Sequence, residues 1–116
     1  MFHMLTCFNL KPEFSIEAFQ HDLDRFSAEL VESGLLQATG PIGRRQRHPV
    51  MDTDDERNHE YFFIMSFADR HQCDLAVARI YPGDSAFESG HQSVLSAVVD
   101  PIFICWEDVA AGSTSS

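Results

Sequence analysis

His91 is the histidine whose position is most suggestive of chemistry, since it lies between Phe87 and Leu95 at the four-residue spacing of one helix face. Imidazole titrates near neutral pH, so a histidine on an apolar stripe can shuttle a proton or contact a ligand at the rim of a cavity. A partly buried histidine bonded to a carbonyl or carboxylate gives the same pattern. The sequence leaves both interpretations open.

Other reactive side chains lack partners at useful spacing. His59 and Glu60 open a predicted strand, where adjacent side chains point to opposite faces, so they make a poor acid–base pair. Cys7 could be a nucleophile only beside a group that stabilises its thiolate, and a core thiol is the alternative. No histidine, cysteine or carboxylate spacing is typical of zinc. We therefore expect no metal and no cofactor, and the sequence assigns no catalytic residue.

Two charged clusters precede the strongest predicted strand. The basic cluster is Arg44, Arg45 and Arg47. Their guanidinium groups could bind an anionic ligand through two hydrogen bonds each. Alternatively, they could be the charged side chains that keep an edge strand from pairing with another chain. The acidic cluster is Asp52, Asp54, Asp55 and Glu56. It lacks the ligand spacing and turn glycine of a calcium loop, which predicts a solvated hairpin loop.

Composition restricts the possible partners. The chain has 116 residues and a net charge of −10, which predicts one globular domain over residues 1–109 and a disordered tail over 110–116. An acidic surface repels phosphate backbones and anionic lipid, so we expect neither nucleic acid nor membrane as a partner. Three cysteines without a C-x-x-C pair predict reduced thiols, and no signal peptide is recognisable, so we expect a cytoplasmic protein.

Apolar patterning predicts four strands and two helical regions. The strands are 2–10, 35–48, 59–67 and 102–107, with a polar loop at 49–58. Strand 35–48 is interrupted by Gly40-Pro41 and Gly43, which predicts an edge strand. The first helix spans 15–33, between a capping Ser15 and Gly34. The second region begins after Asp69, breaks at Pro82-Gly83, resumes at the capping pair Ser85 and Glu88, and runs to residue 99. The order β-α-β-β-α-β predicts an α+β, ferredoxin-like fold with a four-stranded antiparallel sheet.

The predicted strands are apolar on both faces, although the helices can cover only one. Strand 59–67 has large apolar side chains at odd and even positions alike, and strand 102–107 repeats this pattern. An uncovered apolar face normally marks an interface. Two-fold pairing of identical sheets is the simplest way to bury it. The sequence therefore predicts a homodimer joined through its sheet faces.

The segment from Tyr81 to Asp108 resembles a known family. It contains a tyrosine, a helix start, His91, an apolar stripe at 94–98 and a final strand. This order is similar to the stress-responsive Dabb type of the dimeric α/β barrel superfamily. That family commonly has a second histidine at the position of Glu88. The resemblance implies ferredoxin-like protomers whose sheets face each other around a lumen.

The resemblance and the residue types together give six candidate ligand-binding residues: His91, Tyr61, Trp106, His3, Asn9 and Tyr81. Some monooxygenases of the superfamily use asparagine, tryptophan and histidine without metal or flavin. Trp106 lies on a different strand from the tryptophan of that motif, so their activity does not transfer to this chain. Alternation alone cannot say which strand face lines the lumen.

Three functions remain open. The favoured one is a homodimer that binds a small apolar or aromatic molecule between its sheets. The second is a purely structural or regulatory dimer without a cavity. The third is a cofactor-independent monooxygenase or isomerase, which requires a roomy lumen with histidine and tryptophan facing each other.

Overall fold

The computed structural model describes residues 1–81 and 85–109. The elements are β1 (Phe2–Leu10), α1 (Ile16–Glu32), β2 (Ala38–Thr39), β3 (Gly43–Arg44), β4 (Tyr61–Phe67), α2 (Arg70–Ile80), α3 (Ser85–Ala97) and β5 (Val98–Glu107). Antiparallel strands form one sheet in the order β2-β4-β1-β5, and β3 also pairs with β4. The predicted α+β class and ferredoxin-like fold are confirmed.

The predicted edge strand at 35–48, interrupted at Gly40-Pro41 and Gly43, is much shorter than its predicted bounds. This segment forms two short strands, β2 and β3, which both pair with β4. Gly40 and Pro41 lie between them, and proline cannot donate to a strand ladder, so pairing stops there. The sheet therefore has five strands rather than four, although β2 and β3 together occupy one edge as predicted.

Local signals define α1 as the sequence predicts. The Ser15 side chain accepts a hydrogen bond from the backbone N–H of Ala18 at 3.1 Å. Gly34 follows the helix with φ of +74°, the left-handed conformation that glycine adopts most easily. The stripe between these ends packs against the sheet through Phe19, Leu23, Phe26 and Leu30.

The second helical region consists of α2 and α3. Asp69 caps α2 through its carboxylate, which accepts from the backbone N–H of Gln72 at 2.8 Å. The predicted break at Pro82-Gly83 and the predicted 110–116 tail lie outside the described residues. The Ser85 and Glu88 side chains that would form a capping pair lie outside them as well. Helix α3 ends at Ala97, two residues earlier than predicted, because β5 already begins at Val98.

Strand β5 begins with an irregularity around Asp100. Its pairing with β1 shifts register between Cys7 and Asn9, and Asp100 has φ of +52°, which is uncommon for a residue with a side chain. The His59 ring donates from Nε2 to the Asp100 carbonyl oxygen at 2.6 Å. This contact ties the start of β5 to the loop before β4.

The two faces of the sheet have different surroundings. Every second residue of β4, from Tyr61 to Phe67, is buried against the helices. The opposite surface, here called the free face, carries large apolar side chains from three strands: Leu5, Phe62, Ile64, Ile102, Ile104 and Trp106. Four of these side chains are between 37% and 41% exposed. The structure therefore leaves much of this apolar sheet face without a helix over it, as the sequence predicts, although the loop over residues 45–58 covers part of it.

Candidate functional site

An apolar cavity of about 170 Å³ lies between the sheet and the helices. Strands β1, β4 and β5 form its floor, and all three helices contribute to its walls. The lining residues described below are Thr6, Phe26, Cys73, Ala76, Tyr81 and His91. Among the side chains that the structure describes, no lysine, arginine, aspartate or glutamate lines the cavity, so these residues offer a ligand no full charge unless His91 is protonated.

Small side chains leave this space open. Thr6 lies on the central strand β1, where its cross-strand partners are Phe63 on β4 and Phe103 on β5. A threonine between two phenylalanines leaves a gap in an otherwise bulky aromatic layer. Ala76 on α2 is buried above the sheet and adds little volume. The helices therefore pack against the larger side chains around this gap.

The Thr6 hydroxyl has no hydrogen-bond partner within the described part of the chain. Thr6 is only 3% exposed. Because β1 pairs on both sides, ladder hydrogen bonds already occupy the neighbouring backbone groups. A buried polar group without a partner is costly, so this hydroxyl is the notable polar feature of the cavity.

His91 brings an imidazole to the wall of the cavity. Its ring centroid lies 5.7 Å from that of Phe26 and 5.3 Å from that of Tyr81. Burial lowers the pKa of His91, so the neutral ring predominates at pH 7. Gly90 allows this approach, because a Cβ there would lie 3.0 Å from Cδ1 of Phe26. Tyr81 is 68% exposed and stands at the mouth of the cavity.

The two more buried cysteines lie on opposite sides of the sheet. Cys73 lines the cavity from α2, whereas Cys7 belongs to the opposite surface and is covered by the loop over residues 45–58. Burial raises the pKa of both thiols, which keeps them protonated. This protonation favours a core thiol over a nucleophile for Cys7.

Tyr61 lies apart from the cavity, although it shares the helix-facing side of the sheet. Its hydroxyl accepts a hydrogen bond from Nη2 of Arg44 at 3.2 Å. Trp106 lies on the free face, so the sheet separates these two candidate residues. One pocket within a protomer cannot contain both.

His3 and Trp106 meet at one end of the free face, with their ring centroids 5.2 Å apart. His3 donates from Nε2 to the Asp108 carboxylate at 2.9 Å, because a carboxylate can only accept. Its Nδ1 lies 2.8 Å from the Ser66 hydroxyl. This hydrogen-bonded chain from serine through histidine to aspartate was not predicted, because residues far apart in sequence form it.

Asn9 lies far from that group. Its side-chain oxygen accepts from the backbone N–H of Glu60 at 2.8 Å. It stands six positions after His3 on the same strand, which separates the two residues by roughly 20 Å. Asn9 and Trp106 therefore do not form a common site within one protomer.

The arginine cluster organises the loop over residues 45–58. Arg45 is largely buried and forms a bidentate pair with Asp52, with nitrogen–oxygen distances of 2.8 and 2.6 Å. It also donates to the carbonyl oxygens of Asp54 and Arg57. Hydrogen bonds from Arg45 and Arg57 lower the pKa values of Asp52 and Asp54, respectively.

The prediction of a solvated acidic hairpin loop is therefore wrong for Asp52. The sequence did not reveal which arginine pairs with which carboxylate. Across residues 1–81 and 85–109, no group of three or more potential metal ligands comes together. In the same residues no helix is long and apolar enough to cross a membrane.

Comparisons with known proteins support the fold. The chain is similar to protein At3g17210 of Arabidopsis thaliana, with 11% identity, coverage of 96% of this chain and 98% of that chain, and a TM-score of 0.71. A dimeric ferredoxin-like protein of unknown function from Jannaschia sp. CCS1 gives 13% identity, coverage of 92% and 98%, and a TM-score of 0.62. An antibiotic biosynthesis monooxygenase gives 15% identity, coverage of 95% and 100%, and a TM-score of 0.59.

No protein-family model matches the chain, and no curated protein matches it. These three similarities lie well below 25% identity, so they establish the fold and leave the activity open. They confirm the ferredoxin-like fold that the sequence predicts.

Proposed function

We propose that this protein is a homodimer that binds a small, neutral, apolar or aromatic molecule in the cavity between the helices and the sheet of each protomer. The cavity itself carries this proposal, because it is apolar and has few polar groups at its wall and mouth. The sequence pointed instead to a site between two sheets. The proposed site keeps His91 and Tyr81 from the predicted residues and adds Thr6.

The size of the cavity limits the ligand. In another protein, a dry cavity of roughly 150 Å³ lined by aliphatic and aromatic side chains binds benzene. The space of about 170 Å³ found here matches one substituted ring. Burying a charged ligand beside uncharged walls would cost several kcal/mol on the order-of-magnitude scale for unpaired ions. A neutral ring compound therefore fits best.

Calorimetric titration with toluene and indole tests the site. The variant Ala76→Met places a larger side chain in the wall of the cavity, while Ala78→Met makes the same change at an exposed position of the same helix. We expect the wild type and Ala78→Met to bind alike, and Ala76→Met to bind at least tenfold more weakly. Equal binding by Ala76→Met would show that the ligand binds outside this cavity and would refute the proposed site. A wild type that binds no ring compound would favour a purely structural dimer.

The free face supports the homodimer. Its large side chains are only partly covered by the loop over residues 45–58, which lies above Leu5, Phe62 and Ile104. Fully burying one such side chain contributes about 1.5–3 kcal/mol. A second copy presents an identical surface, so two-fold pairing buries both surfaces together.

Sedimentation of a matched pair of variants tests this arrangement. Ile64→Glu places a charge on the free face, and Leu75→Glu places the same charge on an exposed apolar position of α2. We expect a dimer for the wild type and Leu75→Glu at micromolar concentration, and a monomer for Ile64→Glu. A monomeric wild type would refute the pairing.

A cofactor-independent monooxygenase or isomerase is the second candidate, and the contact between His3 and Trp106 on the free face favours it. Asp108 orients the imidazole, and in the proposed dimer both rings would lie between the sheets. An oxygen electrode with an easily oxidised polyphenol tests this function. Oxygen uptake above the buffer rate that is lost in His3→Gln would support it, and uptake equal to buffer would exclude this chemistry for the probe.

A further inference from the structure

We infer that Thr6 selects the ligand, because its buried hydroxyl supplies a hydrogen bond that distinguishes a ring bearing a neutral polar substituent from a plain hydrocarbon. This inference rests on the proposed function. It goes beyond that function by naming the residue that sets specificity and the chemical class that it favours, for example a phenol or an aryl ketone.

The first observation is the unsatisfied hydroxyl itself. Thr6 is almost fully buried and lines the cavity, and its Oγ1 has no partner among the side chains that the structure describes. A hydroxyl left without a hydrogen bond is destabilising, and most buried hydroxyls in proteins have a partner. Oγ1 itself has almost no accessible surface, so a group that enters the cavity can become its partner once the Thr6 side chain turns toward it.

The second observation is the contrast with Thr39, another threonine of the sheet. The Thr39 hydroxyl lies 2.8 Å from the Ser27 hydroxyl, so it is satisfied within the chain. Thr39 lies on the short strand β2 at the edge of the sheet and does not line the cavity. Two other buried side-chain atoms also lack a partner among the described residues, Nε of Arg57 and Nδ1 of His59, but neither residue lines this cavity. Of these three, Thr6 alone lines the apolar cavity.

The surroundings of Thr6 restrict the substituent that it can recognise. The described lining residues carry no full charge beside the neutral His91 ring, so an ionised carboxylate or ammonium would find no counter-charge among them. A hydroxyl both donates and accepts, so it can pair with a phenol oxygen or a ketone oxygen. Neutral single-ring compounds with one such oxygen meet both conditions.

Calorimetric titration with phenol, toluene and benzoate tests the inference on three proteins. Thr6→Val replaces the hydroxyl with a methyl group of similar shape, and Thr39→Val makes the same change outside the cavity. We expect the preference for phenol over toluene to fall about tenfold in Thr6→Val, the fold-change that one net hydrogen bond gives. Thr39→Val should keep the wild-type preference, and benzoate should bind none of the three proteins.

Each result decides the question. If Thr6→Val binds toluene as the wild type does but keeps the full preference for phenol, selection by Thr6 is wrong and the proposed pocket stands. If neither phenol nor toluene binds the wild type, the pocket and its selectivity fail together. Thr6→Ser retains a hydroxyl and should restore most of the preference, and its failure to do so would also contradict the inference.

Discussion

Replacing Thr6 with valine should stabilise the protein in the absence of ligand, although most substitutions of buried residues are destabilising. The wild type buries a hydroxyl without a hydrogen bond, and leaving such a group unpaired costs about 1–3 kcal/mol. The valine methyl group that replaces it adds favourable apolar burial of about 0.8 kcal/mol. Some of this gain is offset by imperfect packing, so we expect a net increase of about 1–2 kcal/mol in the free energy of unfolding.

Thr39→Val makes the same chemical change but should lower the free energy of unfolding instead of raising it. It removes the partner of the Ser27 hydroxyl, which is only 8% exposed. The remaining hydroxyl then has no partner, so we expect a loss of about 1 kcal/mol. The two variants differ in the environment of one oxygen atom, which makes their difference more informative than either value alone.

Urea denaturation at one fixed protein concentration measures both effects, since the stability of a dimer depends on concentration. With a slope of about 1–3 kcal/mol/M, the midpoint should rise by roughly 0.3–2 M for Thr6→Val and fall for Thr39→Val. A Thr6→Val protein less stable than the wild type would show that a partner, such as a bound water, already satisfies the Thr6 hydroxyl. The account of the cavity would then be wrong.

Two further predictions concern His91 and Gly34. Burial lowers the pKa of His91 in the folded protein. The unfolded chain therefore binds a proton at His91 more tightly than the folded chain does. As a result, the free energy of unfolding should decrease as the pH falls from about 6.5, the usual pKa of histidine, through the lower pKa of the folded state. Urea midpoints between pH 8 and pH 4 should show this slope, and His91→Gln should reduce it; an equal slope in both proteins would contradict it. Gly34→Ala should cost about 1 kcal/mol, because alanine is strained at φ of +74° although nothing lies within 4 Å of its Cβ, and an unchanged thermal midpoint would contradict that reason.

Much of the fold could be predicted because its signals are local. The Ser15 cap, the apolar stripe of α1 and Gly34 lie within twenty residues of one another and need no information from the rest of the chain. The strands β1 and β4 were found by composition and alternation. The edge strand at 35–48 and its interruption at Gly40 and Pro41 were predicted as well, but its division into two short strands was not, because the length of an interrupted strand depends on its partner.

The site was only partly predictable, because the faces of a strand alternate while the sequence does not say which face the helices cover. Tyr61 and Trp106 were therefore both predicted as ligand-binding residues, although they lie on opposite faces of the sheet. Thr6 was missed. The signal was a single small polar residue with apolar or sulfur-containing neighbours on both sides in β1, but a buried hydroxyl bonded to its own strand would give the same sequence.

The loop network shows a second limit. The sequence has three arginines before an acidic loop, but it does not show which carboxylate each arginine contacts. The bidentate contact of Arg45 with Asp52 depends on how the loop folds back. Opposite charges seven residues apart in a polar segment usually remain solvated. In this protein the loop lies over the free face, and burial there makes the pairing specific.

The most direct test of the proposed site is a crystal structure of the protein in complex with 4-bromophenol. The anomalous scattering of bromine gives the position of that atom, and therefore of the ring, directly. We expect one bromine peak per protomer in the cavity between helices and sheet, with the phenol oxygen within hydrogen-bond distance of the Thr6 hydroxyl. A bromine peak between the sheets of two protomers, or an occupied cavity with the oxygen turned away from Thr6, would contradict it.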